Sequence, residues 1–170
     1  MTTGNTQERT FDNIGSFVEK MACGAARVRD LLERKGRGAY TVSPSSSVLE
    51  ALKSMARHGV GALVVVEGDR VIGVVSERDY ARKVILTGKS SGETSVKEIM
   101  SHPASTVSPD QTIAECMTLM TVQRIRHLPV LESGRLAGLV SIGDLVKSII
   151  SDQERRIEQF ERYIRGAYPA

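Results

Sequence analysis

Apolar residues along the chain follow two rhythms, and both rhythms occur twice. Val48, Leu49, Leu52, Met55 and Ala56 fall at i, i+1, i+4, i+7 and i+8, the spacing of one helix face. Gly59 then predicts the helix stop. Two short apolar stretches, 62–66 and 70–75, flank Glu67-Gly68-Asp69 and read as two strands around a tight turn. A second helix is expected to begin near Glu77. The same succession returns further on. Ile113, Ala114, Met117, Met120 and Thr121 mark a helix, 127–131 and 135–140 two strands around Glu132-Ser133-Gly134, and Ile142 the start of another helix. Ser43-Pro44 and Ser108-Pro109 precede the first helix of each set and predict an N-cap followed by proline in the first turn. Cys116 stands where Ala51 stands. It reads as a small buried hydrophobe, with a reactive thiol as the other reading.

The recurrence is a duplication. Thr41-Val42-Ser43-Pro44 reappears as Thr106-Val107-Ser108-Pro109, an offset of 65 (106 less 41). Carried forward without a gap, that offset pairs Glu50 with Glu115, Met55 with Met120, Gly73 with Gly138 and Asp79 with Asp144. About a third of the positions from Thr41 to Ile85 are identical, well above chance. A shorter match precedes it: Val28, Leu31, Leu32 against Val96, Ile99, Met100. The chain therefore divides into an N-terminal extension (1–27), two repeats (28–90 and 91–150) and a C-terminal helix (151–170). Each repeat reads strand, helix, strand, strand, helix, too small to bury a comfortable core alone. The expected fold is α+β: two βαββα repeats packed with pseudo-twofold symmetry, with helices at both ends.

The end helices carry stripes of their own. Ile14, Phe17, Val18 and Met21 line a helix expected over 10–22. In 151–165, Ser151 and Glu154 have capping-box spacing, and Ile157, Phe160 and Ile164 form a narrow stripe. Glu158/Arg162 and Glu161/Arg165 are spaced for i,i+4 support. Packing onto the repeats and contact with a second subunit or partner are both open readings of these stripes.

These features together resemble the CBS domain pair, the Bateman module. The motifs that carry the resemblance are Thr-Val-Ser-Pro before each first helix, Arg126-His127-Leu128-Pro129-Val130, and Gly-x-x-Ser-x-x-Asp. The last stands twice, as Gly73-Val74-Val75-Ser76-Glu77-Arg78-Asp79 and Gly138-Leu139-Val140-Ser141-Ile142-Gly143-Asp144. The likeness spans about residues 28–150 and is closest to stand-alone bacterial pairs of the signal-transduction type. Read locally, Ser-x-x-Asp is a capping box. It also suits a carboxylate accepting from two ribose hydroxyls, with backbone N–H groups of a helix start meeting phosphate. The resemblance implies adenosine nucleotides (AMP, ADP, ATP or NAD) in two clefts between the repeats. One cleft would join Ser76, Arg78 and Asp79 to Ser105-Thr106 and to Ile125, Arg126 and His127. The other would join Ser141 and Asp144 to Tyr40-Thr41 and Val60-Gly61. Arg78, Arg126 and His127 give the first cleft a basic group for phosphate, and Arg forms bidentate contacts well. Gly143, Gly61 and Ala62 hold the matching positions in the second. The resemblance also implies a homodimer and an unidentified effector protein.

Composition narrows the alternatives. The 170 residues carry 23 Lys plus Arg against 20 Asp plus Glu, a net charge of +3. That field is weak for a nucleic-acid surface, although Arg29, Arg34, Lys35, Arg37, Arg155 and Arg156 form short basic groups. Trp is absent and aromatics are 4%, so stacking platforms for single strands are missing. The apolar runs fall far short of the roughly 20 residues that span a membrane. The N-terminus lacks a signal-peptide core, so a cytoplasmic location is expected. Cys23 and Cys116 make neither a disulfide framework nor a zinc site. No nucleophile elbow, Walker loop or metal cluster appears, and His58, His102 and His127 are scattered, so no catalysis is expected. The competing readings are a nucleic-acid-binding protein and a purely structural dimerisation module.

Overall fold

The structure, a computed structural model, describes residues 26–167. The helix expected over 10–22 and Cys23 lie outside them. In chain order the elements are α1 (Val28–Lys35), β1 (Thr41–Val42), α2 (Val48–His58), β2 (Ala62–Glu67), β3 (Arg70–Ser76) and α3 (Glu77–Lys83). A 3-10 turn (Ile85–Thr87) leads to α4 (Val96–Ile99), α5 (Ile113–Gln123), β4 (His127–Glu132), β5 (Arg135–Ser141) and α6 (Ile142–Ala167). The four hairpin strands, and the helices at Glu77 and Ile142 that follow them, start within a residue of the sequence expectations. Turn chemistry explains this: Gly68 has φ +59°, while Ser133 and Gly134 have φ +51° and +77°.

Contacts divide the chain into two compact units. Among the described residues, one holds 35–109 and 127–140, the other 26–34, 110–126 and 141–167.

In the first unit β1 runs parallel to β2, pairing Thr41 with Val64, and β2 pairs antiparallel with β3, Ala62 opposite Ser76. Val48, Ala51 and Met55 of α2 pack with Leu63, Val65 and Val75 of the sheet and with Val84, Val96 and Ile99. The inward face of α2 is therefore Val48, Ala51, Leu52 and Met55, at i, i+3, i+4 and i+7. Leu49 and Ala56, expected on that face, are exposed. The small side chain of Ala51 turns inward, and this rotates the buried stripe away from Leu49. Gly73 allows a close approach: a Cβ there would lie 2.8 Å from Met100 Sδ and 2.8 Å from the Ser101 carbonyl oxygen. The same unit contains the two-stranded sheet β4–β5. Val107 makes a single parallel bridge to Val130.

In the second unit α1, α5 and α6 supply the buried residues Leu31, Leu32, Ile113, Cys116, Met120 and Leu145. Cys116 is fully buried, and desolvation pushes its thiol up to about 12, in keeping with a packing role.

Three cap expectations need correction. The N-cap of α2 is Ser47, whose hydroxyl accepts from the Glu50 amide while Glu50 accepts from the Ser47 amide. Thr112 and Glu115 do the same for α5. Ser43 instead folds a turn, its Oγ accepting from the Ser45 amide at 3.3 Å, so Ser43 and Ser108 stand before the caps. Nor does Ser151 begin a helix. It lies inside the 26-residue α6, which runs on from β5 without a break.

The short helices change copies. In the second unit the Val28 amide donates to the Gln111 carbonyl and the Ile113 amide to that of Ala26. In the first unit the Val96 amide donates to the Ser46 carbonyl and the Val48 amide to that of Thr94. The helix preceding each repeat thus docks at the start of the long helix of the other repeat. There it satisfies amides that helix beginnings leave without intrahelical partners.

Candidate functional site

The two Ser-x-x-Asp motifs fold alike. Ser76 caps α3: its amide and hydroxyl donate to Asp79 Oδ2 at 3.1 and 2.6 Å, and the Asp79 amide donates to Ser76 Oγ at 3.3 Å. Ser141 and Asp144 repeat this at the start of α6, with distances of 2.9, 2.8 and 3.2 Å. Each box therefore holds a carboxylate at a helix start, half-buried beside a strand end.

Each box also closes on the segment leading into the middle strand of its own repeat. The Glu77 amide donates to the Gly61 carbonyl at 3.1 Å, and the Ile142 amide to that of Arg126 at 2.9 Å. The structure thereby brings Val60-Gly61 beside Ser76, Arg78 and Asp79, and Ile125-Arg126 beside Ser141 and Asp144. Tyr40 and Thr41 border the same sheet end as Gly61, since the Tyr40 carbonyl accepts from Val64 at 3.0 Å. Ser105-Thr106 are strung between Ala104, which donates to Ile72, and Val107, which donates to Pro129. His127 opens β4, half-buried, and the Arg126 side chain is exposed.

The surroundings of the two carboxylates differ. Lys83 Nζ lies 3.0 Å from Asp79 Oδ1 and also donates to the Ile99 carbonyl at 2.5 Å, tying α3 to α4. The Asp79 side chain is 16% exposed, so this contact is partly sheltered from water. The matching position in the second repeat is Ser148, whose hydroxyl accepts from Arg34 Nη2 at 2.9 Å. Glu77 stands beside Gly61, where a Cβ would meet Glu77 Oε2 at 3.3 Å. In the second repeat the corresponding pair is Ile142 and Arg126.

Sequence reading passed over Lys83 and His58. Lys83 follows Asp79 at i+4, a spacing legible in the chain. His58 stacks on Tyr40 with ring centroids 3.8 Å apart, a partnership that depends on the β1–α2 turn. Among the described residues no cluster of His, Cys, Asp and Glu is arranged to hold a metal ion. No helix among them is long and apolar enough to cross a membrane.

Comparison with known proteins agrees with this architecture. The model of the CBS domain family matches residues 27–85 and again 96–151. The CBS domain-containing protein CBSX3, mitochondrial, of Arabidopsis thaliana is 36% identical over 160 residues, covering 89% of this chain and 78% of that protein. A solved protein with CBS domains from Burkholderia ambifaria MC40-6 is 53% identical, with a TM-score of 0.72, over 75% of this chain and 96% of its own. The CBS domain pair of protein MJ0100, solved with 5-methylthioadenosine and S-adenosyl-L-methionine, shares the fold at 22% identity and a TM-score of 0.67. It covers 76% of this chain and 99% of its own.

Proposed function

We propose that this chain, which belongs to the CBS domain family and carries two such domains in tandem, is a non-catalytic regulatory module that senses adenosine nucleotides. AMP, ADP, ATP and NAD share the ribose diol that this reading requires. The observation that carries it is the pair of capped carboxylates, Asp79 and Asp144, each held at a helix start by its own serine. An ionised carboxylate accepts at about four lone-pair sites, so a capping aspartate retains acceptor capacity for ribose hydroxyls. The adenosine-type ligands of the MJ0100 pair support this ligand class.

Of the two boxes, that of Ser76 and Asp79 takes the phosphate more tightly, with Arg78 next to its carboxylate in the chain. At the Ser141–Asp144 box Gly143 holds the position that Arg78 holds in the first. The chain works as a homodimer and passes the ligand signal to a separate effector protein.

Thermal unfolding of wild type, Asp79→Asn and Asp144→Asn with AMP, ADP, ATP, NAD or S-adenosylmethionine tests the reading. Asparagine keeps the cap and removes the charge. A ligand at about 100 times its Kd stabilises by about 2.7 kcal/mol, a shift of about 5–11 °C for a chain of this size. Loss of that shift in Asp79→Asn supports the proposal. No shift with any ligand would leave the boxes as caps alone.

A further inference from the structure

The distal half of α6 carries a seam of mostly apolar residues that the described residues leave exposed. Leu145 and Ser148 are buried, and Ser148 is bonded to Arg34. About 100° round the helix from Leu145, Val146, Ile150, Gln153, Ile157, Phe160 and Ile164 follow one another at intervals of 4, 3, 4, 3 and 4. Phe160 is 69% exposed, Ile164 59% and Ile157 58%. This is a strict two-in-seven pattern, narrower than the face of a helix packed into a globular core. The outer positions carry Arg155, Glu158 and Arg162.

We infer that the seam is covered by the same helix of a second copy, as a parallel, in-register coiled coil. Three observations choose this occupant. Isoleucine stands at every a position (Ile150, Ile157, Ile164), and β-branched residues there suit parallel two-stranded packing. Gln153 at a d position can face its twin in register. Arg156 at g and Glu161 at the following e are complementary across a parallel pair, twice per dimer. Among the described residues each has a long contact one turn away, Arg156 to Asp152 at 3.5 Å and Glu161 to Arg165 at 3.9 Å. An antiparallel pair would instead place g positions opposite g and e opposite e. The seam is under three heptads long, so it strengthens an assembly of folded repeats rather than making one alone. The inference rests on the homodimer reading above and names its surface and polarity.

The test uses the full chain with Cys23→Ser, to which Ile157→Cys or Arg155→Cys is added. Mild oxidation at low protein concentration is followed by non-reducing electrophoresis, and sedimentation gives the oligomeric state. Ile157→Cys is expected to form a disulfide-linked dimer, and Arg155→Cys is not. Arg156→Glu should weaken self-association about tenfold, from attraction turned to repulsion at two sites, and Arg156→Glu with Glu161→Arg should restore it. Equal cross-linking at both cysteines overturns the inference, as does failure of the charge swap to restore association. An intrachain disulfide between Phe17→Cys and Ile157→Cys in a monomer also overturns it, by making the N-terminal segment the occupant. A dimer that does not cross-link at Ile157→Cys sinks this inference and spares the homodimer reading, whereas a monomeric wild type sinks both.

Discussion

The Val28 amide donates to the carbonyl of Gln111 at 2.9 Å, across 83 positions of sequence (111 less 28). Its counterpart, Val96, donates to Ser46 at 2.9 Å. These two bonds record an exchange in which each repeat lends its leading helix to the other. Leu32, at the inward side of α1, is 1% exposed. Leu32→Ala is expected to destabilise the chain by about 2–5 kcal/mol. Urea unfolding followed by circular dichroism reads this directly, and a loss below about 1 kcal/mol would show that α1 is not part of the core.

Gly73 opens the Gly-x-x-Ser-x-x-Asp motif for a steric reason. The chain at Met100-Ser101 passes so close that a methyl group has no room, and the Ser101 amide and carbonyl are both bonded to Val74. Gly73→Ala should destabilise by about 1–3 kcal/mol. Gly92→Ala, where only Ser90 Oγ comes within 4 Å, at 3.8 Å, is the near-neutral control. Equal midpoints in urea for the two variants would refute the steric account.

Glu115 is held below the ordinary glutamate range, first by the Thr112 amide and then by the Thr112 hydroxyl. A carboxylate whose folded pKa is depressed binds fewer protons folded than unfolded in the titrating range. Its stabilisation is therefore present above the unfolded pKa and disappears as pH falls through the folded one. Glu115→Gln should be less stable than wild type at neutral pH. The gap should close as pH drops below about 4. Unfolding midpoints measured across that range check the sign, and a gap that widens in acid would contradict it.

Lys83 holds Asp79 Oδ1, the oxygen that, in the proposed nucleotide reading, is left for a ribose diol. With Ser76 donating twice to Oδ2 and Lys83 to Oδ1, Asp79 enters binding already engaged. Lys83→Met keeps the chain's length and removes the charge. If Asp79 binds ribose as proposed, calorimetric titration should show nucleoside binding tighter by a few-fold, about what one competing partly exposed ion pair contributes. Unchanged or weaker nucleoside binding would mean that Lys83 assists the ligand rather than competing with it.

Much of this protein was legible along the chain because the deciding interactions are local. The hairpins follow from Gly68 and from Ser133-Gly134, whose positive φ needs only neighbouring residues. The Ser76–Asp79 and Ser141–Asp144 boxes close over three residues, so their spacing alone announces them. Ser47–Glu50 is equally local, but Ser43-Pro44 offers a competing helix-start signal four residues earlier. The residues proposed to complete each cleft were legible only through likeness to a family, because no local rule names the partner of a helix start.

What the chain could not announce depends on distance. Two similar repeats offer nearly equal surfaces to α1 and α4, so periodicity cannot say which copy each short helix joins; the bonds from Val28 to Gln111 and from Val96 to Ser46 decide it. The inward rotation of α2 onto Ala51 depends on the sheet it meets, since Leu49 and Leu52 lie side by side at the edge of the face and only packing decides which turns inward. The run of α6 through Ser151 is decided by continuity with the helix that begins at Ile142, because a serine mid-helix is a weak stop beside that established propagation. Local hydrogen bonds and turn preferences thus settled the elements and their caps, while burial against remote surfaces settled their partners and faces.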